Sequence, residues 1–343
     1  MSDKKLPRLT LVVPCFNEEA VLPSSAKTLD AILTQLMTEQ QVTADSKILF
    51  VDDGSHDQTW DEIRRLQTTS DHFTGLKFSR NFGQEAALMA GLQTAAPYSD
   101  LTITIDADLQ DNPFLIPNMV QQAADGFDIV YGVRNDRSSD TWFKRNTAER
   151  FYWLMNKLGV HLVPNHADFR LLSRRALSAL LEYHENDPFL RGIVPQLGFA
   201  STKLYYKRRP RLAGQSKYSL KKMMKLALDG IFSFSIAPIR AVLWAGAAIC
   251  VGAVAMFAWI VIQHFRGAVV TGWSSIMTSL WFLGGCQLIA ISIIGEYVGR
   301  TFTQTKRRPR FIIQTDTYSH AFAAGTATAT TAAPKSLHHR LSN

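Results

Sequence analysis

Cysteine is scarce, with three in 343 residues, at Cys15, Cys250 and Cys286. They show neither pairing nor metal-ligand spacing, which excludes a disulfide-stapled scaffold and a thiolate zinc site, and they read as free, reduced thiols. The N-terminus, MSDKKLPRL, lacks the apolar core of a signal peptide, so the large N-terminal domain is expected in the cytosol. Basic residues are short in residues 1–130, where 9 Lys or Arg stand against 19 Asp or Glu; residues 131–343 reverse this with 28 against 10. An acidic half followed by a basic half implies two kinds of partner, and a basic surface suits nucleic acid or an anionic membrane.

Two long runs lack charge altogether, Ala241–Gln263 and Thr271–Gly295, and these decide for the membrane. Each is long enough to cross a ~30 Å hydrocarbon core as a helix. Lys221, Lys222, Lys225 and Arg240 precede the first, Arg300 and KRRPR (306–310) follow the second, and only Arg266 lies between. The positive-inside rule then puts both termini in the cytoplasm and the short loop outside. Two further stretches are amphipathic and basic, Asp140–Gly159 and the helix from Ser219 that leads into the first run; both fit a headgroup plane. KRRPR also occurs at 207–211, a second basic anchor. From about Thr315 the sequence is low in complexity and is expected to be a disordered tail, residues 315–343.

The first third alternates strand and helix signals. RLTLVVP, SKILFVDDGS, GLKFSRN, LTITIDAD and FDIVYGV read as strands, with helices between and Asn112-Pro113 opening one of them. Such repeats imply an α/β fold with a mostly parallel sheet covered on both faces. Ligands bind such sheets beyond the carboxyl ends of the strands, where Asp52, Asp53, Asp106 and Asp108 fall. Crowded carboxylates repel and are costly to desolvate, so they need a cation, hydrogen bonds or open water. In a continuing strand Asp106 and Asp108 point the same way. With Gln110 offering a neutral oxygen they suit Mg²⁺ or Mn²⁺ bridging a diphosphate. Asp111 reads as a helix-terminus residue instead.

VVPCFNEE, VDDGSHDQT, SRNFGQEAAL and DADLQDNP, in that order, resemble family-2 glycosyltransferases with the GT-A fold. With GVRNDRSSDTWFKR, ADFRLLSRRAL, GQSKYSLKKM and two C-terminal spans, the chain is similar to their polyprenyl-phosphate branch over roughly residues 8–310. The resemblance implies a GT-A domain over 1–218, with 140–159 as an interface helix. A juxtamembrane helix (219–239), two transmembrane helices within 240–298 and a basic segment (299–314) follow. It implies transfer of a hexose, UDP-glucose first, to polyprenyl phosphate of the undecaprenyl type, with inversion. Pro14, Glu18, Asp52 and Asp53 would line the nucleoside pocket. Arg80, with Gly83, would help hold the donor, and Lys217 with Tyr218 would close over the diphosphate. Asp106, Asp108 and Gln110 would hold the metal, Arg134 and Arg137 the lipid phosphate, with Arg170 beside them. Asp168 would act near the reacting sugar as a positioning group or base. Its partners would be a nucleotide sugar, polyprenyl phosphate, the bilayer and further copies of itself, a tetramer being the implied assembly; nucleic acid is not among them. A polyprenyl phosphate is already an anion at neutral pH, so the work is to screen and align two anions.

Rivals fit less well. A processive polysaccharide synthase would carry Q-x-x-R-W and more spans. A pyrophosphorylase would want a Gly-rich phosphate loop after its first strand, and PCFNEE is not one. A membrane channel leaves the cytosolic acids unexplained. The strongest alternative is a membrane-anchored transferase with a non-lipid acceptor.

Overall fold

The structure, a computed structural model, describes residues 6–135, 166–185, 188–207, 237–266 and 272–327. The expected interface helix at 140–159, nearly all of the juxtamembrane segment, and Arg137, Lys217 and Tyr218 lie outside these. Two compact units are distinguished, Met1–Ser139 with Val163–Gln215 and Pro309–Asn343, and Asp140–Leu162 with Ser216–Arg308.

The first unit is built on an eight-stranded sheet. Its strands are β1 (Leu9–Cys15), β2 (Lys47–Asp52), β3 (Phe73–Phe78), β4 (Leu101–Thr104), β5 (Ile129–Arg134), β6 (His166–Ser173), β7 (Ser201–Tyr206) and β8 (Ile313–Asp316). They run in the order β7-β5-β6-β4-β1-β2-β3-β8. β1 is parallel to β2 and β4, β2 to β3, and β5 to β7, whereas β6 is antiparallel to β4 and β5, and β8 to β3. The mostly parallel GT-A sheet is thus present, with two antiparallel strands that pattern reading did not find.

Every residue of β1 is buried, as a strand covered on both faces requires. Leu9, Leu11 and Val13 point into a core with α1 (Leu22–Thr38), α2 (Thr59–Gln67) and α4 (Ile116–Ala124). Val12, Leu49 and Val51 point the other way, onto α3 (Gln84–Ala95) and α9 (Tyr318–Ala327). Gly91 lets α3 lie close on the sheet, since a Cβ there would meet Val12 Cγ1 at 2.3 Å. Helices α5 (Arg174–Leu181) and α6 (Leu190–Gln196) follow β6.

One expectation needs correction, and one is met in part. The tail does not lose structure at Thr315: β8 pairs with β3 through Leu76↔Asp316, and Tyr318 of α9 is fully buried, its hydroxyl 2.7 Å from Thr10 Oγ1 and 3.1 Å from Ser99 Oγ. One buried aromatic and a four-residue strand were too little to stand out from the repeats that follow; residues 328–343 lie outside the described ones. Second, α7 (Ala237–Phe265) and α8 (Trp273–Thr305) are long helices. Among the described residues only Phe282–Thr305 meets the length and hydropathy needed to cross a membrane. By that measure one of the two expected spans is found among the described residues.

Candidate functional site

The carboxyl ends of β1, β2, β4 and β5 gather the acids. β6 runs the other way, so its first residues reach the same edge; Arg170 pairs with Thr104 of β4 and Tyr131 of β5. This places Asp168 among them, and the Thr104 hydroxyl donates to its backbone carbonyl.

Asp52 ends β2 fully buried. Its Oδ1 accepts from Ser55 N–H at 3.0 Å, while Oδ2 is buried without a partner. Burial pushes its pKa up, against the pull of Ser55 and Lys77. An orphaned buried acceptor is expensive, and a ligand N–H or hydroxyl would relieve it. Pro14 is buried at the end of β1, and Glu18 follows in a loop laced to the next one: Glu18 N–H donates to Thr59 Oγ1 (2.9 Å) and His56 N–H to Asn17 Oδ1 (2.9 Å).

Asp53 bonds the loop that follows β3. Its carboxylate accepts from Phe82 N–H (2.6 Å), Gly83 N–H (2.9 Å) and Asn81 Nδ2 (3.0 Å). It clamps the loop ahead of α3. Gly54 permits this approach: its φ is +66° and a Cβ would meet the Arg80 carbonyl carbon at 2.3 Å. Arg80 itself is exposed, its guanidinium 3.9 Å over the Phe82 ring.

Asp106 and Asp108 are not strand residues. β4 stops at Thr104, and Leu109 has a φ of +45°, so the acids sit on a tight turn. Asp106 accepts from Gln84 Nε2 at 2.9 Å, and Asp108 from Gln110 N–H at 3.2 Å. Burial, then Asp168, Asp111 and Asp108, push the Asp106 pKa up to about 7. Gln110 is buried with Nε2 unpartnered; rotating the amide exchanges that donor for the oxygen a cation needs.

The remaining acids are paired with arginines. Asp111, 1% exposed, takes Arg134 Nε (2.9 Å) and Nη2 (3.2 Å) and the Tyr206 hydroxyl (2.6 Å). Asp111 therefore belongs to Arg134 and not to a helix end, and Arg134 spends its fork inside the protein. Asp168 accepts from Arg170 Nη2 (2.7 Å) and, on both oxygens, from Arg191 (3.1 and 2.8 Å). Arg170 is 2% exposed and also donates to the Leu190 carbonyl, so it holds Asp168 from inside the protein. Arg191 was not anticipated, since nothing in FLRGIV marks it.

No group of three or more His, Cys, Asp or Glu is arranged to hold a metal among the described residues. Two carboxylates with one amide suffice for a cation that keeps water and phosphate as its other ligands. The crowding that raises the Asp106 pKa is what such a cation offsets, so the residues fit.

The family model described as glycosyl transferase family 2 matches residues 10–181. A Bacillus subtilis protein described as the uncharacterized glycosyltransferase YkoT is 48% identical over 91% of this chain and 93% of its own. A prophage bactoprenol glucosyl transferase homolog of Escherichia coli is 39% identical over 90% of this chain and 98% of its own. The bactoprenol glucosyl transferase of Shigella phage SfV is 39% identical over 90% and 99%.

Proposed function

This chain belongs to glycosyltransferase family 2 and is a nucleotide-sugar glycosyltransferase, and we propose that it moves a hexose from a nucleotide sugar, UDP-glucose first, to undecaprenyl phosphate at the cytoplasmic membrane face. The observation that carries the acceptor is the 39% identity, over almost the whole chain, to proteins named bactoprenol glucosyl transferase. Relatives at this identity over 98–99% of their own length support a shared acceptor class, and an apolar helix able to cross a membrane supports a lipid one.

The residues take the following parts. The buried Asp52 Oδ2 accepts from the nucleoside beside Pro14 and Glu18. Asp106 and Asp108, with Gln110, would hold Mg²⁺ or Mn²⁺, which when bound screens the diphosphate and stabilises it as leaving group. Asp168, fixed by Arg170 and Arg191, presents a carboxylate of set orientation. It orients the incoming phosphate and sugar more than it takes a proton, since the phosphate is anionic already. Direct in-line displacement inverts the anomeric carbon. Arg137 and Lys217 remain candidates for the lipid phosphate and the diphosphate, and assembly of several copies, a tetramer among the options, belongs to the same reading.

The test is transfer of label from a panel of nucleotide sugars to undecaprenyl phosphate in detergent with Mg²⁺ or Mn²⁺. Labelled lipid made by the wild type and lost in Asp108→Asn and in EDTA is the expected outcome. Nucleotide binding without labelled lipid would sink the lipid acceptor and favour a membrane-anchored enzyme with a soluble one.

A further inference from the structure

Soon after α8 ends at Thr305, the chain meets the carboxyl end of β3, on the edge where the acids gather. Ile313 pairs with Phe78, the last residue of β3, and the Ile312 carbonyl accepts from Ser79 N–H at 3.1 Å. Phe311 lies flat on Phe78, with ring centroids 5.3 Å apart, and Phe82 meets the same ring edge-on at 5.6 Å. The residue before reaches a different element: half-buried Arg310 donates from Nη2 to the Tyr183 carbonyl at 2.8 Å, just past the end of α5. α5 follows β6, and β4, β1 and β2 stand between β6 and β3 in the sheet. No strand pairing therefore joins the two loops that Arg310 and Phe311 touch.

Each of those loops carries a hold on one acid of the site. The loop after Phe78 runs through Phe82 and Gly83, bonded by Asp53, to Gln84, which donates to Asp106 at 2.9 Å. The connection after Tyr183 leads to Leu190, whose carbonyl accepts from Arg170, and to Arg191, which takes both oxygens of Asp168. We propose that Arg310 and Phe311 are positioning residues for transfer: they strap the Gln84 loop to the Arg191 connection and so fix Asp106 and Asp168 relative to each other. Closing the β3 edge does not call for the reach to Tyr183, since β8 pairs with β3 and Tyr318 anchors α9 to Thr10. Alignment of donor and acceptor does call for it, because a misplacement of about 1 Å caused far from the reacting atoms can cost about 10²-fold in rate. The strap is also the covalent continuation of α8, which links the end of that helix to both holds.

Two measurements separate this role from mere packing; the kinetic one rests on the transfer reading, the other does not. Arg310→Met removes the donor and keeps the apolar stem, whereas Arg310→Lys keeps a donor. Phe311→Ala removes the ring, whereas Phe311→Tyr keeps it. Phe322→Leu loosens the stack of α9 on Tyr98 and controls for lost stability alone. Hexose transfer to undecaprenyl phosphate is followed well below the unfolding midpoint of every variant. Arg310→Met and Phe311→Ala should each lose about tenfold in kcat with donor KM within about twofold, and the Lys and Tyr variants should recover to within about threefold of wild type. Phe322→Leu should keep the wild-type kcat. Hydrogen exchange of the full chain in detergent, without substrate, is the second readout. Residues 79–84 should exchange about tenfold faster in Phe311→Ala, and residues 189–191 in Arg310→Met, while β1 stays as in the wild type. Wild-type kcat in the Met and Ala variants, no recovery in the Lys and Tyr variants, an equal kcat loss in Phe322→Leu, or unchanged exchange in both loops would each overturn the inference. A wild type that labels no lipid would sink the transfer reading instead, and the exchange series would still decide whether the strap holds both loops.

Discussion

At the scale of single residues, the acids crowded at one edge of the sheet have partners that divide the labour. Asp111 has Arg134 and Tyr206, and Asp168 has Arg170 and Arg191. Asp106 has the neutral amide of Gln84, and it is the acid whose pKa rises to about 7. Its ionised form therefore opposes folding while serving the chemistry, so Asp106→Asn should raise the unfolding midpoint of the metal-free protein by a few degrees and lower transfer by about 10²–10³-fold. Scanning calorimetry with EDTA, beside the label-transfer assay, checks both signs. Arg134 behaves in the opposite sense. Arg134→Ala leaves the carboxylate of Asp111 buried beneath Tyr206 without its cation, which should cost about 3 kcal/mol, the low end for a buried pair because Arg134 is partly open to solvent. Denaturant unfolding reads this directly; unchanged stability with a raised lipid KM would return Arg134 to the lipid phosphate. The acids Asp52, Asp106 and Asp108 were legible in the sequence because strand ends carry them in adjacent letters. Asp53's clamp and the Asp168–Arg191 pair were not, because their partners lie 28–30 and 23 residues away and follow no local period.

At the scale of elements, the alternation of strand and helix was readable through β5, since each strand there is an apolar run bounded by turn residues. It failed at β6, whose Asp168 and Arg170 interrupt the apolar pattern for the sake of the site, and at β8, which is four residues long with both ends half-exposed or exposed. β8 nonetheless closes the β3 edge, and α9 seals it: Tyr318 is buried, and Phe322 stacks on Tyr98 at 4.8 Å. Tyr318→Phe should cost only about 1 kcal/mol, because Thr10 and Ser99 still bond each other at 2.6 Å. Tyr318→Ala should cost about 3–5 kcal/mol by leaving a cavity between α3 and the sheet. A chain ending at Ile312 should bare the β3 edge and aggregate, read as loss of the monodisperse peak in size-exclusion chromatography. Similar midpoints for the Phe and Ala variants would mean that α9 is dispensable to the fold.

At the scale of the whole molecule, the return of β8 to the sheet constrains how the chain can meet a membrane. β1–β7 precede the long helices α7 and α8, β8 follows them, and all eight strands belong to one sheet. One sheet lies on one side of a bilayer, so the segment between β7 and β8 must cross an even number of times, whatever the length and hydropathy of each helix. If Phe282–Thr305 crosses, a second crossing is obligatory, and α7, 29 residues and ≈ 43 Å at 1.5 Å per residue, is long enough to supply it. Arg266 at the end of α7 then faces the side opposite the sheet. In a background lacking Cys15, Cys250 and Cys286, Arg266→Cys should react with an impermeant maleimide added outside sealed cells, while Asp125→Cys, exposed after α4, should react only after lysis. Labelling of both from the same side would mean that neither helix crosses and that the apolar face of α8 lies against the membrane or another copy instead.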